Sequence, residues 1–404
     1  MLFSTDSINN DIITGILIII VSALATIGGV GGGGILIPLY ILLTGLPLDN
    51  AIPLAIISIL GNTIIRVLYF FNKKRPMSLN KRFLINMSPI LLIVPFDSAT
   101  SFFGVLLSRW TPTIITLIVI IIVLTLTFYN VSKKAYKLYQ YENSLTDSHL
   151  NSECIMIDGI DIELNTNDLE QARRNRINER KTGDEYVLNI MFMLMAFFTM
   201  VIFGIFSFTR NLLEPCSSYY WIQISMQILI ALLIGRFMIF IVRRDNEEKI
   251  IRNYFFMDGD IQWNFQNISS LILGSSVTGF LSTYMGIGGG MIMNPILISI
   301  LKMSPQVVVA TSSVSTFFSS LISTINYVTS DQILWDYAIY FFIASLIGSF
   351  IGIKISSYLI SILQRQSVMA FVLAIIILIS TILLLINTLL NNSLNNFEFG
   401  DICT

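Results

Sequence analysis

The sequence predicts an all-α membrane protein that crosses the bilayer several times. Of its 404 residues, 54% are hydrophobic and only 12% are charged, whereas a soluble domain averages about 25% charged residues. The apolar residues form long runs, and a helix needs about 20 of them to cross a bilayer. A water-soluble globule is therefore close to excluded. The net charge of −1 also gives no basic surface for nucleic acid.

Ten apolar runs predict about ten spans. Two of them, 12–45 and 268–301, have 34 residues each. That length is too long for one plain span and too short for two full spans of about 20 residues each. Glycines interrupt both of these runs. The other eight runs have the length of a plain span and lie near residues 51–71, 84–107, 113–129, 187–207, 219–242, 306–328, 335–359 and 367–388.

Three polar stretches set the orientation. Residues 72–82, 130–186 and 243–267 carry 33 of the 49 charged residues. Two predicted spans separate each stretch from the next, so all three face one side. Their Lys and Arg content places that side in the cytoplasm. A single crossing of 12–45 would leave both termini in the cytoplasm, and a re-entrant hairpin would move the N-terminus outside.

The chain also repeats itself. Residues 29–38 (GVGGGGILIP) match 286–295 (GIGGGMIMNP) at an offset of 257, and 11–131 maps onto 268–388 by apolar pattern. Four spans and an intervening pair lie between equivalent points, and this even count predicts two parallel four-span repeats with glycine-broken helices plus an intervening helix pair. Internal repeats around a midplane site are typical of secondary transporters.

The predicted organisation has six parts. These are a first transmembrane repeat (1–131), a cytoplasmic loop (132–186), an intervening transmembrane helix pair (187–242), a cytoplasmic linker (243–267), a second transmembrane repeat (268–388) and a C-terminal tail (389–404).

The glycine runs are candidate anion-binding segments. A glycine run breaks a helix, and the backbone groups that the break frees need a partner inside the bilayer. The half-helix after each break presents N–H groups and a positive dipole end to the gap, which suits an anion. The alternative is close helix packing through small residues. The candidate residues are Gly29, Gly31, Gly32, Gly33, Gly286, Gly288, Gly289 and Gly290.

Hydroxyl side chains follow the second glycine run inside an apolar span. Ser312, Ser315, Ser319 and Ser323 share one face at helical spacing. Hydroxyls can donate to an oxyanion without a buried charge, or they can simply bond the carbonyl four residues back. The first repeat is mostly apolar at the corresponding place, so any site is expected to be asymmetric. The candidate binding residues in this segment are Thr311, Ser312, Ser313 and Ser315.

Four charges fall within predicted spans, at Arg66, Asp97, Arg236 and Lys354. Such charges are functional candidates by default. Arg66 and Lys354 lie near span ends, where a long side chain can snorkel to water. Asp97 lies near the middle of its span, and the offset places it opposite Lys354. We expect Asp97, Lys354 and Arg66 to serve as coupling or structural charges. A buried ion pair or a protonated, hydrogen-bonded Asp97 is the alternative.

The remaining composition argues against an enzyme. His149 is the only histidine, and Cys154, Cys216 and Cys403 are far apart without CxxC spacing. We therefore expect no catalytic residues, no metal, no cofactor and no disulfide framework. The expected partners are a small anion and the lipid bilayer of the plasma membrane or an internal membrane. An alternative function is a membrane anchor that presents the 132–186 loop for interaction or signalling.

Several motifs resemble those of the TauE/SafE family of sulfite exporters, especially its plant-type members. They are the two glycine motifs, PQVVVATSS at 305–313 and DGDIQW at 258–263. The resemblance implies a multi-pass carrier of sulfite, sulfonates or related organic anions, with export inferred and proton or ion coupling open. It places binding residues on the glycines above, on Asn294 and Pro295, and on Thr311, Ser312 and Ser313. The sequence departs from the family at 52–55 (IPLA), where a polar residue is common, which argues against a symmetric site.

Overall fold

The computed structural model describes residues 8–27, 31–73, 83–153, 183–214, 216–251, 261, 263–303, 305–363 and 367–390. The helices within these ranges are α1 (Ile8–Ile27), α2 (Gly33–Thr44), α3 (Leu48–Phe71), α4 (Met87–Trp110), α5 (Thr113–Glu153), α6 (Gly183–Asn211), α7 (Ser218–Ile251), α8 (Phe265–Met285), α9 (Gly289–Ser299), α10 (Pro305–Thr329), α11 (Trp335–Leu363) and α12 (Ser367–Leu390).

Each of the eight plain runs corresponds to one helix, although α4 begins at Met87, three residues after the start of the 84–107 run. The prediction of an all-α polytopic membrane protein is therefore confirmed. In the described ranges, α3 to α8, α10 and α11 are long and apolar enough to cross a membrane. Helix α5 continues as far as Glu153, into the predicted cytoplasmic loop, and α7 continues to Ile251. Residues 154–182 of that loop lie outside the described residues.

The helices divide into an inner group and a lipid-facing group. Helices α3, α4 and α10 are mostly buried, whereas α6 and α7 expose much of their apolar surface. Phe198 of α6 is 66% exposed and Phe240 of α7 is 63% exposed. In a membrane these side chains contact lipid tails, which is why helices without a polar face remain stable there. The inner helices therefore hold the buried polar residues.

Both glycine runs break a helix, as predicted. Helix α1 ends at Ile27 and α2 begins at Gly33, with Gly32 at φ 81°. Helix α8 ends at Met285 and α9 begins at Gly289, with Gly286 at φ 65° and Gly288 at φ 80°. Residues with a side chain rarely adopt these left-handed backbone angles, so the turns require glycine.

Helix α9 turns back along α8 after the break. A Cβ on Gly289 would lie 3.4 Å from Thr278 Cγ2, and a Cβ on Gly274 would lie 3.1 Å from Ile296 Cδ1. Residue numbers therefore increase along α9 from 289 to 296 while those of its neighbours on α8 decrease from 278 to 274, so the two helices run antiparallel. The 268–301 run is a re-entrant hairpin rather than one crossing. Helices α1 and α2 pack on each other in the corresponding place.

Helices α3 and α10, which correspond under the 257-residue offset, run antiparallel. Arg66 near the end of α3 donates to the carbonyl of Val309 near the start of α10, at 3.5 Å. The neighbouring pairs fix the directions independently. Helix α4 runs parallel to α10, because Asn86 contacts Thr311 at one end and Ser101 contacts Asn326 further along.

Helix α3 likewise runs parallel to α11, because Ser349 bonds Asn62 and Ser357 bonds Tyr69. The corresponding helices of the two predicted repeats thus run in opposite directions, and the parallel arrangement predicted from the span count does not hold. The count took each 34-residue run as one crossing. A hairpin enters and leaves on the same side, so it changes the parity.

The packing of the helices supports the repeat itself, which stays a prediction. Helix α1 packs on α11 as α4 packs on α8, and α3 packs on α11 as α10 packs on α4. Each of these pairs becomes the other when the 257-residue offset is applied.

The expectation that the cysteines form no disulfide was wrong, because Cys216, between α6 and α7, is disulfide-bonded.

Candidate functional site

The tips of the two hairpins meet in the protein interior. A Cβ on Gly33 would overlap the carbonyl oxygen of Gly286, and a Cβ on Gly34 would lie 2.9 Å from Met291 Cε. The backbone nitrogen of Gly31 lies 3.7 Å from the Cβ position of Gly290. The two broken segments therefore pack directly on each other, and only glycine allows so close an approach.

Both hairpins present a helix N-terminus to this junction. Within α2, the N–H groups of Ile35 and Leu36 bond the Gly32 carbonyl at 3.1 and 3.2 Å. Within α9, the N–H of Met291 bonds the Gly288 carbonyl at 3.3 Å. The N–H groups that precede these have no partner inside their helix. Two positive dipole ends thus converge, and this arrangement favours an anion between or beside them.

Helix α10 lines the second break with hydroxyl groups. Thr316 Oγ1 would lie 2.8 Å from a Cβ on Gly290, and Ser319 Oγ would lie 3.1 Å from a Cβ on Gly289. Thr316 is 1% exposed, and its hydroxyl has no hydrogen-bond partner in the described part of the chain. Buried polar groups nearly always have a partner, so this hydroxyl is available to a ligand at the start of α9.

Asp97 of α4 borders the same place. It is 2% exposed, its carboxyl group hydrogen-bonds Ser319, and its Oδ1 has no partner among the described residues. Its backbone carbonyl packs against Gly279 of α8, where a side chain would overlap it. Since Ser319 also touches Gly289, one hydroxyl separates the Asp97 carboxyl from the start of α9.

The first break is lined by Ile59 instead. Its side chain would lie 2.7 Å from a Cβ on Gly31, 2.6 Å from one on Gly33 and 2.9 Å from one on Gly288. Ile59 corresponds to Thr316 under the offset. The junction therefore has an apolar wall on one side and a hydroxyl wall on the other.

Three predicted hydroxyls do not reach the junction. Thr311 accepts a hydrogen bond from the Asn86 N–H at 3.0 Å. Ser312 and Ser313 donate to the Val309 carbonyl at 3.3 and 2.5 Å, which is the local bonding that the sequence left open as an alternative.

The other predicted residues are less closely involved or not described. Ser315 and Asn294 are buried, on α10 and α9 respectively. Gly29 lies outside the described residues. Gly32 and Gly288 supply the left-handed turns, as above.

The predicted charges separate in the structure. Arg66 is fully buried against α10, so the expectation that it snorkels to water is wrong. Lys354 is exposed on α11, with its ammonium 4.6 Å from the Phe350 ring centroid on the same helix. The offset places Asp97 opposite Lys354, but only Asp97 lies at the junction. Arg236 is exposed on α7.

The binding residues predicted from the sequence did not include the two hydroxyls that contact the second break, Thr316 and Ser319. Both belong to the hydroxyl run after the second glycine motif, and the signal was present. Counting from Ser312 by four and seven residues gives Thr316 and Ser319 on one helical face. Hydroxyl side chains lie on more than one face of α10, and only the packing of α10 against α9 shows which of these faces lines the break.

Comparisons with known proteins identify sequence relatives of the chain. The chain is 24% identical over 375 residues to "Sulfite exporter TauE/SafE family protein 1" of Arabidopsis thaliana, covering 89% of this chain and 80% of that protein. It is 25% identical over 357 residues to family protein 3 of the same plant, covering 87% and 73%.

A bacterial relative matches over a shorter region. "Probable membrane transporter protein YunE" of Bacillus subtilis (strain 168) is 31% identical over 93 residues, which are 23% of this chain and 33% of that protein. No solved structure matches the chain significantly. The family model described as "Sulfite exporter TauE/SafE" matches residues 6–160 and 177–384, so the chain belongs to the TauE/SafE family.

Proposed function

We propose that the chain is a secondary transporter of small sulfur-containing anions, such as sulfite or a sulfonate, which it exports from the cytoplasm. One observation carries the proposal: the buried Thr316 hydroxyl, which has no hydrogen-bond partner among the described residues, faces the N-terminus of α9 where the two glycine breaks meet. The relatives are named as sulfite exporters and as a membrane transporter. A transporter family also fits a protein without catalytic residues.

The junction offers donors rather than a fixed cation. An oxyanion there would accept hydrogen bonds from the N–H groups of Gly289 and Gly290 and from the Thr316 hydroxyl. Hydrogen bonds to a charged group contribute about 1.5–3 kcal/mol each. Because no Lys or Arg side chain is among these contacts, binding stays weak enough for release, as a carrier requires.

Asp97 is the proposed coupling group. An ionised Asp97 would repel an anion held near Gly289, whereas a protonated Asp97 could donate to it or to Ser319. The side chains packed on it from α8 and α10 are small or bear hydroxyls. Anion and proton would then bind together and move in the same direction.

The inverted hairpins supply a route to alternating access. Inverted repeats with broken helices around a midplane site are a recurrent transporter architecture. Here each hairpin tip is buried against the other, so the described state is closed at the junction. Rocking of one unit against the other would open the site to one side at a time.

Flux in proteoliposomes tests the proposal. The purified full-length chain would be reconstituted and radiolabelled sulfite flux measured with a pH gradient imposed and then collapsed. We expect protein-dependent flux that accelerates when the gradient drives protons with the anion. Absence of sulfite and sulfonate flux, with the protein correctly inserted, would overturn the assignment.

Deleting residues 145–165 separates transport from the anchor alternative. We expect this variant to keep wild-type flux, because none of the described contacts at the junction involves residues 145–165. Loss of the cellular function with intact flux would instead favour an anchor that presents the loop.

A further inference from the structure

A second set of basic side chains lies at the other end of α4, away from the charged loops. Arg109 is near the C-terminus of α4, and Arg210 is near the C-terminus of α6. Arg210 is 6% exposed, and Arg109 is half-buried. Both guanidinium groups lie near the Tyr220 side chain and interact with it electrostatically.

Neutral groups hold Arg210 firmly in place. Its Nη1 donates to Gln227 Oε1 at 3.2 Å, and its Nη2 donates to Ser207 Oγ at 3.3 Å and to Asn326 Oδ1 at 3.4 Å. The guanidinium carbon lies 3.4 Å from the centroid of the Phe102 ring. This cradle orients the guanidinium but does not neutralise it, since every acceptor is uncharged.

Arg109 adds a second positive charge with an incomplete set of bonds. Its Nη2 donates to the Ser330 carbonyl at 2.6 Å, while its Nε is buried without a hydrogen-bond partner in the described ranges. Neither arginine forms an ion pair with a described carboxylate, and nearby Glu214 and Asp331 are exposed. Two clustered cations without a counter-charge among the described residues are costly where they are buried, and an anion would relieve that cost.

A polar seam between α4 and α10 connects this pair with the junction. Asp97 bonds Ser319 at the junction end. One turn further along α4, the Ser101 hydroxyl accepts from Asn326 Nδ2 at 3.1 Å. Asn326 is the residue whose Oδ1 accepts from Arg210. Buried polar side chains thus continue from the proposed anion site to the arginine pair.

We propose that Arg210 and Arg109 form a second anion-binding site, at the non-cytoplasmic mouth of the route, for a small oxyanion. The half-buried Arg109 and Tyr220 open it toward solvent, and the fixed Arg210 guanidinium is its inner wall. The identity of the anion as the transported one rests on the proposed function. The site would concentrate the anion at the exit or entry and pass it along the seam.

The Arg210→Gln variant tests the site, since it removes the charge but keeps a hydrogen-bonding side chain. The chain would be reconstituted in phosphatidylcholine vesicles, and sulfite flux would be measured with sulfite supplied on the arginine side. We expect KM from that side to rise at least about 10-fold, which is the loss of about 1.4 kcal/mol of binding. Arg210→Lys should retain most of the affinity, and Arg236→Gln, on exposed surface of α7, should match wild type.

Sulfite-dependent thermal stabilisation of the purified protein gives a second readout that needs no transport. We expect the stabilisation to shrink in Arg210→Gln and in Arg109→Gln. Unchanged KM and stabilisation in these variants would overturn the site. If Arg210→Gln does not fold, Arg109→Gln decides, because Arg109 sits outside the Arg210 cradle.

Two further outcomes separate the hypotheses. If phosphatidylglycerol, and not sulfite, gives arginine-dependent stabilisation, the occupant is a lipid headgroup and the proposed site for a soluble anion falls. If the wild-type chain moves no sulfite yet shows arginine-dependent stabilisation, the proposed function fails while the anion site stands.

Discussion

The two glycine breaks share a backbone design but differ in what lines them. Both have glycines in left-handed turns and a half-helix that begins at the junction. At the first break α3 contributes Ile59, and at the second α10 contributes Thr316 and Ser319. The difference teaches that two copies of a broken helix can share the same backbone architecture while only one of the two breaks has a polar lining.

Asn62 shows the same divergence one turn along. It corresponds to Ser319, but its amide donates to the Ser22 carbonyl at 3.0 Å and accepts from Thr26 at 3.3 Å. Ser349 donates to its backbone carbonyl at 2.9 Å. Asn62 is thus satisfied by hydrogen bonds beside the first break, whereas Thr316 and Asp97 Oδ1 beside the second break have no hydrogen-bond partner among the described residues.

The largest effect is expected from Gly290→Leu. Its Cβ would lie 2.8 Å from Thr316 Oγ1, and the rest of the side chain would fill the junction, so sulfite flux should fall to background. The measurement is flux in proteoliposomes at matched protein insertion. Gly204→Leu is the control, because a Cβ there would meet only Ile325 at 3.5 Å. Normal flux through Gly290→Leu would remove the junction from the transport route.

Exchanging the two linings comes next. Thr316→Ile makes the second break resemble the first and removes one donor to the anion, which costs about 1.5–3 kcal/mol, or about 10- to 150-fold in affinity. Ile59→Thr should change the affinity little, because Asp97 and Ser319 lie only on the other side. Sulfite affinity by thermal shift and KM measures both. Equal losses in the two variants would contradict the asymmetry.

Asp97→Asn tests the coupling role. It keeps the size of the side chain and its bond to Ser319 but removes the titrating group. We expect flux to persist while its dependence on an imposed pH gradient disappears. Asp331→Asn, at an exposed turn with φ 53° that Asn tolerates, is the matched control. A pH response that survives Asp97→Asn would assign coupling elsewhere.

The smallest effect on transport is expected from Asn62→Ala on α3, the helix that lines the first break. Its loss removes the side-chain hydrogen bonds to the Ser22 carbonyl and the Thr26 hydroxyl, each of which contributes about 0.5–1.5 kcal/mol of stability. The melting temperature should fall while KM for sulfite stays at the wild-type value. An increase in KM as large as that of Thr316→Ile would show that the first unit also binds the anion.

The sequence by itself determined the fold class, the span positions, the two glycine breaks and the family. Each of these depends on local sequence: a bilayer requires long apolar helices, a glycine run interrupts a helix, and short motifs indicate the family. It also indicated asymmetry, because Ile59 and Thr316 occupy equivalent positions under the 257-residue offset.

Only the tertiary structure decided the direction of the repeats, the depth of Arg66 and the choice of hydroxyls. Direction depends on whether a 34-residue run crosses or turns back, and both outcomes have the same composition. Snorkelling was reasonable for Arg66 by its position in the helix, but α10 packs over it. Likewise Arg109 and Arg210 lie a hundred residues apart in the chain, and only the packing of α4, α6 and α10 brings their charges together.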